Sequence, residues 1–142
     1  MRRRSLLLGA ALAGVMVADT KLTGANAQLP IPAGTPLTGR AAQDSPPART
    51  FTLLLTAVAK GDFAVIRSAL AQGHPGLGML NPGGLPMIKA ELLPHGAAPA
   101  AVMATLAAVY IEGDGATLVF GTEPGRTIWK MRRDTEGWKL SP

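Results

Sequence analysis

The sequence predicts an α+β fold in which two N-terminal helices pack on an antiparallel β-meander of about four strands. Two observations carry this prediction: apolar residues recur at helical spacing between residues 50 and 73, and turn compositions divide residues 106–140 into short β-rich runs. The chain has 142 residues and no cysteine, so disulfides and thiolate metal sites are excluded. Residues 49–142 are long enough for one small domain with one apolar core.

Residues 1–27 are typical of an export signal peptide. A basic end that includes Arg3 and Arg4 precedes the 13 uncharged residues Leu6–Ala18, and a small residue, Ala27, stands before Gln28. A membrane-spanning helix needs roughly 20 apolar residues, so cleavage after Ala27 is favoured over anchoring. We therefore expect a periplasmic or secreted protein that meets the export machinery and a signal peptidase, and that keeps no stable membrane anchor after cleavage.

The order Arg3-Arg4-Ser5-Leu6-Leu7 resembles the bacterial twin-arginine signal, in which an arginine pair is followed by one free position and two apolar residues. This resemblance implies export of a folded domain. Arg2 stands where a Ser or Thr is usual, and the general secretory route stays an equal alternative.

Residues 28–48 are predicted to form a proline-rich, disordered linker. They contain five prolines and no apolar periodicity, so they cannot bury enough apolar surface to offset the entropy of ordering. Without residues 1–27, which hold four basic and one acidic residue, the net charge falls from +5 to +2. The remaining basic residues are scattered along the chain, so nucleic-acid binding is not expected.

The first predicted helix begins near Thr50, which can serve as its N-cap, and ends at Lys60-Gly61. Its apolar residues share one face at helical spacing: Phe51, Leu54, Leu55 and Val58.

A second helix is predicted directly after the first. Asp62 is its N-cap and Gly73 its left-handed C-terminal cap, and its apolar stripe consists of Phe63, Ile66 and Leu70.

Prolines and glycines divide residues 74–96 into short pieces, of which only Met87–Leu93 is long enough for a short helix. Residues 97–105 fit either a helix or a strand by their periodicity, and we expect strand from Leu106 onward.

The last third predicts four strands: Leu106–Glu112, Ala116–Phe120, Thr127–Arg133 and Trp138–Leu140. Strand alternation places one set of residues on the apolar face of the sheet, which the helices must cover: Val109, Ile111, Leu118, Phe120, Trp129, Met131, Trp138 and Leu140. The same alternation places Lys130, Arg132 and Lys139 on the opposite face.

The helix end Lys60-Gly61-Asp62-Phe63, followed at once by a second helix, and the closing hairpin from Trp129 to Leu140 resemble the cystatin-like α+β superfamily, which includes nuclear transport factor two and ketosteroid isomerase. The resemblance covers residues 49–142. It implies a curved antiparallel sheet wrapped around helices, which forms a cone with a pocket. It also implies a homodimer as a candidate assembly, because sheets of this superfamily often pair.

Catalytic chemistry has little support in the sequence. The two histidines, His74 and His95, lie in proline- and glycine-containing loops without an orienting carboxylate, and no set of three metal ligands is evident. Three carboxylates could in principle give an acid-base pair: Glu91, Glu112 and Asp114. Asp114 is explained as a turn former between two glycines and Glu112 as the end of a strand. The only phenol, Tyr110, faces away from the apolar side of the sheet. No catalytic residue, cofactor or metal is therefore predicted.

We expect a non-catalytic exported domain that binds a small apolar ligand or a protein partner through the concave sheet face. The candidate ligand-facing residues are Phe120, Trp129, Met131 and Trp138, although the two tryptophans also fit packing across a hairpin. The first alternative is an isomerase- or hydratase-like enzyme of the same fold that uses one buried carboxylate. The second is a structural envelope component, which would present a flat apolar patch in place of a cavity.

Overall fold

The computed structural model describes residues 31–122 and 124–142. The predicted signal peptide, with Arg3, Arg4 and the cleavage site between Ala27 and Gln28, lies outside the described residues. The described part has an α+β fold with a four-stranded antiparallel sheet, which confirms the predicted class. Its helices are α1 (Gly39–Gln43), α2 (Pro46–Lys60), α3 (Phe63–Ala69), α4 (Leu85–Leu92) and α5 (Pro99–Met103), and its strands are β1 (Leu106–Glu112), β2 (Gly115–Phe120), β3 (Thr127–Asp134) and β4 (Gly137–Leu140).

The sheet is a meander in the order β1-β2-β3-β4, and the strand bounds agree with the predicted ones to within one residue. Tight turns join the strands of the first and last hairpins. Gly113 in the first turn and Gly137 directly after the last turn adopt φ values of +60° and +118°, conformations that glycine adopts without strain. The turn compositions therefore mark the strand limits correctly.

One face of the sheet packs against the helices. Val109 pairs with Leu118, and Leu118 pairs with Trp129, so one row of apolar side chains runs across three strands. Ile111 departs from the predicted face assignment because it is exposed. Ile111 lies on the edge strand β1, where it pairs with Ala116 one position before the end of the β1–β2 ladder.

Lys139 also departs from the expected pattern. Lys130 and Arg132 are exposed, as predicted for the opposite face, but Lys139 is buried. Its Nζ donates to the carbonyl oxygen of Ser68 (2.6 Å) and to Oε1 of Glu136 (3.0 Å), so the charge is satisfied at the edge of β4 beside α3.

Helix α2 begins at Pro46, four residues before the predicted start at Thr50. Pro46 and Pro47 occupy the first turn, where the backbone N–H groups have no partner within the helix and where the proline ring already has a helical φ. At the other end Gly61 adopts a left-handed conformation, as expected of a helix cap. The proline pair therefore starts a helix here.

The structure differs from the predicted linker over residues 37–48. Leu37 forms a β-bridge with Val109, α1 follows, and Ala42 and Ala48 are fully buried. The side-chain amide of Gln43 donates to the carbonyl oxygen of Met103 (2.7 Å) and joins α1 to α5. Small residues without apolar periodicity are ordered here because alanine fits close against the core.

Helix α3 has the predicted N-cap, since the side chain of Asp62 accepts from the backbone N–H of Val65 at 3.3 Å. The helix ends at Ala69 and not at Gly73. Leu70 is extended and bridges Leu140, and the N–H of Ala71 donates to the carbonyl oxygen of Leu140 (2.9 Å). Pairing with β4 thus replaces the last predicted turn of the helix.

The middle of the chain contains more helix than predicted. Helix α4 begins at Leu85, two residues before the predicted start at Met87, with Pro86 in its first turn. The undecided residues 97–105 contain α5, which is followed directly by β1 at Leu106.

The core lies between α2 and the sheet. The fully buried ring of Phe51 lies 5.2 Å from the ring of Phe120 and 6.2 Å from that of Trp129, with tilted planes that favour aromatic contact. In the described ranges, no helix combines the length and the apolar character needed to cross a bilayer.

Candidate functional site

A cleft of about 460 Å³ opens on the side of the domain where α3, α4 and the β3–β4 hairpin meet. This volume lies within the range of roughly 300–1,000 Å³ that is usual for sites of small molecules. Most of its walls are apolar, and its lining consists of Ile66, Leu70, His74, Pro75, Gly76, Met79, Met87, Ile88, Glu91, Leu92, Trp129, Lys130, Leu140, Ser141 and Pro142. We refer to this space as the cleft.

One wall of the cleft forms where the chain leaves α3. Leu70 pairs with Leu140, and the chain then turns at Gly73, whose φ is +86°. A short 3-10 helix, Pro75–Met79, follows this turn. The bridge to β4 therefore holds the 3-10 helix beside the sheet and leaves the cleft between them.

The opposite wall is α4. Ile88 and Leu92 are buried, whereas Met87 lies at the mouth of the cleft with 65% of its surface exposed. Gly84 brings this helix close to the 3-10 helix, because a Cβ at this position would overlap the backbone carbonyl group of Met79. The backbone N–H of Gly84 also donates to Oδ1 of Asn81 (2.9 Å).

Trp129 is the only one of the four predicted ligand-facing residues that lines the cleft. Phe120, Met131 and Trp138 are buried in the core. Phe120 contacts the ring of Phe51, and the guanidinium of Arg133 lies 5.5 Å from the ring centre of Trp138. These side chains are used in packing because α2 lies directly on the sheet face that the sequence predicted to be the binding surface.

His74 is the most constrained polar side chain of the cleft. It is half-buried, and its Nδ1 accepts a hydrogen bond from the backbone N–H of Gly76 (2.9 Å). Burial of the imidazole lowers the pKa of His74 below its ordinary value of 6.5, and the bond at Nδ1 also favours the neutral ring. The neutral ring therefore carries its proton on Nε2.

The predicted acid and base candidates are not assembled into a site. Glu91 lines the cleft, but its side chain is exposed, as is that of Glu112 at the end of β1. Asp114 pairs with Arg133 in an exposed salt bridge (2.7 Å). Across residues 31–122 and 124–142, every Asp and Glu is exposed.

The other residues considered in the sequence lie away from the cleft. His95 is exposed and adopts a left-handed conformation with φ of +60°, and Tyr110 is half-buried on β1. Within the described residues, no group of three or more His, Cys, Asp or Glu side chains is placed to hold a metal ion.

Sequence reasoning missed most of the cleft. It treated His74 as a solvated loop residue and did not consider Met87, Ile88 or Leu92 as part of a site. The motif His74-Pro75-Gly76 was the available signal, because Pro and Gly mark a turn, and here the side chain at its start accepts the N–H two residues later. The position of α4 had no such signal, since it depends on contacts distant in sequence.

No protein-family model matches the chain, and no curated protein and no solved structure shows significant similarity to it.

Proposed function

We propose that this protein binds a small, mainly apolar molecule in the cleft between α3, α4 and the β3–β4 hairpin. The observation that carries the proposal is the combination of a volume of about 460 Å³ with walls built from Ile66, Leu70, Ile88, Leu92 and Trp129. A concave apolar space with few polar groups is the usual form of a small-molecule site. The proposed function is binding without catalysis.

The shape of the cleft favours this proposal over the structural envelope component. A surface used for flat packing would present an apolar patch, whereas these residues line a concave space. The isomerase- or hydratase-like alternative requires a carboxylate held in an apolar pocket. Among the described residues, Glu91 is the carboxylate side chain that lines the cleft, and it is exposed. This alternative therefore lacks a supporting observation.

The proposal is tested by titrating the purified protein with the fluorescent apolar dye N-phenylnaphthylamine. We expect saturable binding that Met87→Gln weakens roughly three- to tenfold, since a polar amide replaces apolar contact at the mouth of the cleft. Leu53→Gln is the matched control. Leu53 is also an exposed apolar helix residue, with 63% of its surface exposed against 65% for Met87, but it lies on α2 and does not line the cleft.

Equal weakening by both variants, or the absence of saturable binding, would refute the proposed site. Mass spectrometry of small molecules extracted from the natively expressed protein provides the second measurement. We expect a retained apolar compound whose amount falls in Met87→Gln and not in Leu53→Gln.

Export is the second part of the proposed function. It is supported by the sequence of residues 1–27, in which the arginine-rich end, the uncharged run and Ala27 have the order of a signal peptide. We expect to recover the protein outside the cytoplasm of its native cells, with an N-terminal sequence that begins at Gln28. Recovery of the cytosolic protein with Met1 in place would disprove export.

We also infer the finer architecture implied by the resemblance to the cystatin-like superfamily: a helix pair, α2 and α3, enclosed by a curved sheet in a cone-like domain. Two features support it, the Gly61-Asp62 junction between the helices and the meander that follows them. An experimental structure with a flat sheet would contradict this arrangement. The homodimer stays a prediction, which sedimentation equilibrium tests directly.

A further inference from the structure

One polar atom distinguishes the cleft from a purely apolar cavity. Nδ1 of His74 is occupied by the backbone N–H of Gly76, so Nε2 is the atom of the ring that remains for other interactions. Among the described residues, Nε2 has no hydrogen-bond partner. Nε2 is not fully buried, and His74 is one of the residues that line the cleft.

The bond to Gly76 determines which hydrogen-bonding role Nε2 can play. An atom that accepts an N–H carries no proton, so the neutral imidazole places its proton on Nε2 and makes that atom a donor. Rotation of the ring would break the bond to Gly76, and this holds the donor in place. The other ionisable side chains that line the cleft, Glu91 and Lys130, are exposed and can turn toward solvent.

We propose that Nε2–H of His74 donates a hydrogen bond to the ligand, and that the cleft therefore selects apolar molecules carrying a neutral acceptor, such as a ketone, an ester or an ether oxygen. The inference rests on the proposed binding function and names its ligand class. A donor in an apolar wall favours a ligand that satisfies it and disfavours one that leaves it unpaired. An uncharged acceptor fits an uncharged imidazole, which is the form that burial favours.

A pair of matched competitors tests the proposal. Acetylnaphthalene and ethylnaphthalene, substituted at the same ring position, share the naphthalene ring and a two-carbon chain, but only the first carries a carbonyl oxygen. Each is used to displace N-phenylnaphthylamine from the wild-type protein and from His74→Asn. In this variant the side-chain oxygen can still accept the N–H of Gly76, as in an Asx turn, while Nε2 is removed. The amide nitrogen of asparagine takes the place of Cδ2 of the imidazole, so its N–H groups end one atom short of the position of Nε2.

The decisive quantity is the ratio of the two competitor affinities. We expect His74→Asn to lower the preference for the ketone by about three- to tenfold, the size of one neutral hydrogen bond, while ethylnaphthalene changes less than about twofold. The matched control is His95→Asn, because His95 is exposed and asparagine tolerates its left-handed backbone. This control should leave the ratio unchanged.

The outcomes separate the inference from the proposed function. If both competitors displace the dye and the ratio is the same in wild type and His74→Asn, His74 has only a structural role and the inference is overturned while the binding site stands. If both affinities fall together, the ratio is again unchanged and the inference is again overturned. If the dye does not bind the wild-type protein, the proposed function fails and the inference fails with it.

Discussion

His74 and Gly76 form a side-chain-to-backbone turn in which the N–H of Gly76 donates to Nδ1 of His74 over 2.9 Å. The pattern imitates an Asx turn with an imidazole nitrogen in place of the usual oxygen. It fixes the ring at the start of the 3-10 helix Pro75–Met79, and that helix forms part of the cleft. One short bond therefore determines both the local backbone path and the orientation of a half-buried polar group.

The titration of His74 should be visible in the stability of the protein. Its pKa is lowered in the folded state, so above the unfolded value of about 6.5 the imidazole is neutral in both states and has no effect. As the pH falls below that value, the unfolded chain binds a proton that the folded chain does not bind. The free energy of unfolding then decreases, and the loss ends below the folded pKa.

Urea unfolding at about pH 7.5 and about pH 5.5 measures this effect. We expect wild type to lose more stability between the two conditions than His74→Asn, since the variant lacks the titrating group. Glu91 and Lys130, which also line the cleft, are present in both proteins and cancel in the comparison. An equal loss in the two proteins would show that His74 binds its proton equally well in the folded and unfolded states.

Gly84 should be intolerant of any side chain. Alanine at this position would place its Cβ against the backbone carbonyl group of Met79, so the 3-10 helix and α4 would have to separate. We expect Gly84→Ala to destabilise the domain by about 1–3 kcal/mol and to weaken dye binding, because overpacking against backbone cannot relax through a rotamer change. Thermal unfolding and dye titration provide the two readouts.

Gly78 offers the matched control for Gly84. A Cβ at Gly78 meets no atom within 4 Å, and this residue has no left-handed backbone. Gly78→Ala should therefore be neutral within about 0.5 kcal/mol. A tolerated Gly84→Ala would mean that the two walls of the cleft are not in close contact at this point.

Phe51 should be one of the most sensitive positions of the core. Its ring is fully buried and contacts the rings of Phe120 and Trp129. Phe51→Ala is expected to lower the free energy of unfolding by about 3–5 kcal/mol, through lost burial and the cavity that remains. Leu53→Ala, on the exposed face of the same helix, should cost less than about 0.5 kcal/mol. Similar costs in denaturant unfolding would contradict the placement of α2 on the sheet.

Two variants of Asp62 should separate the contribution of its hydrogen bond at the start of α3 from that of its negative charge. Asp62→Ala removes the acceptor for the N–H of Val65, and we expect a loss of about 1 kcal/mol. Asp62→Asn keeps an oxygen at the same position and should retain most of the stability, since asparagine is also a good N-cap. Comparable losses in both variants would show that the negative charge, and not the hydrogen bond, supports the start of the helix.

The strands and the buried helix face could be predicted because their signals are local. The glycine-containing turns limit β1 to β4, and the spacing of Phe51, Leu54, Leu55 and Val58 identifies the buried side of α2. The predicted start of α2 at Thr50 was wrong because Pro46 and Pro47 were interpreted as linker residues. Proline is in fact favoured in the first turn of a helix.

The cleft could not be predicted from the sequence because no local pattern encodes it. It depends on the bridge between Leu70 and Leu140 and on the close approach of Gly84 to Met79, and both join parts of the chain through tertiary contact. The predicted binding residues Phe120, Met131 and Trp138 were assigned to the correct side of the sheet, with Trp138 close to Arg133. Periodicity identifies a face, but it does not say which part of that face another element covers.

The bridge between Leu70 and Leu140 also has a consequence for biosynthesis. During translation, the helices emerge from the ribosome long before residue 140, and until that residue arrives the wall beside α3 has no partner strand. A polypeptide that ends before residue 140 thus lacks one wall of the cleft, so the binding proposed above would require the finished domain. A ligand in the cleft would then stabilise the complete, folded domain, because a molecule that binds only the native state shifts the folding equilibrium toward it.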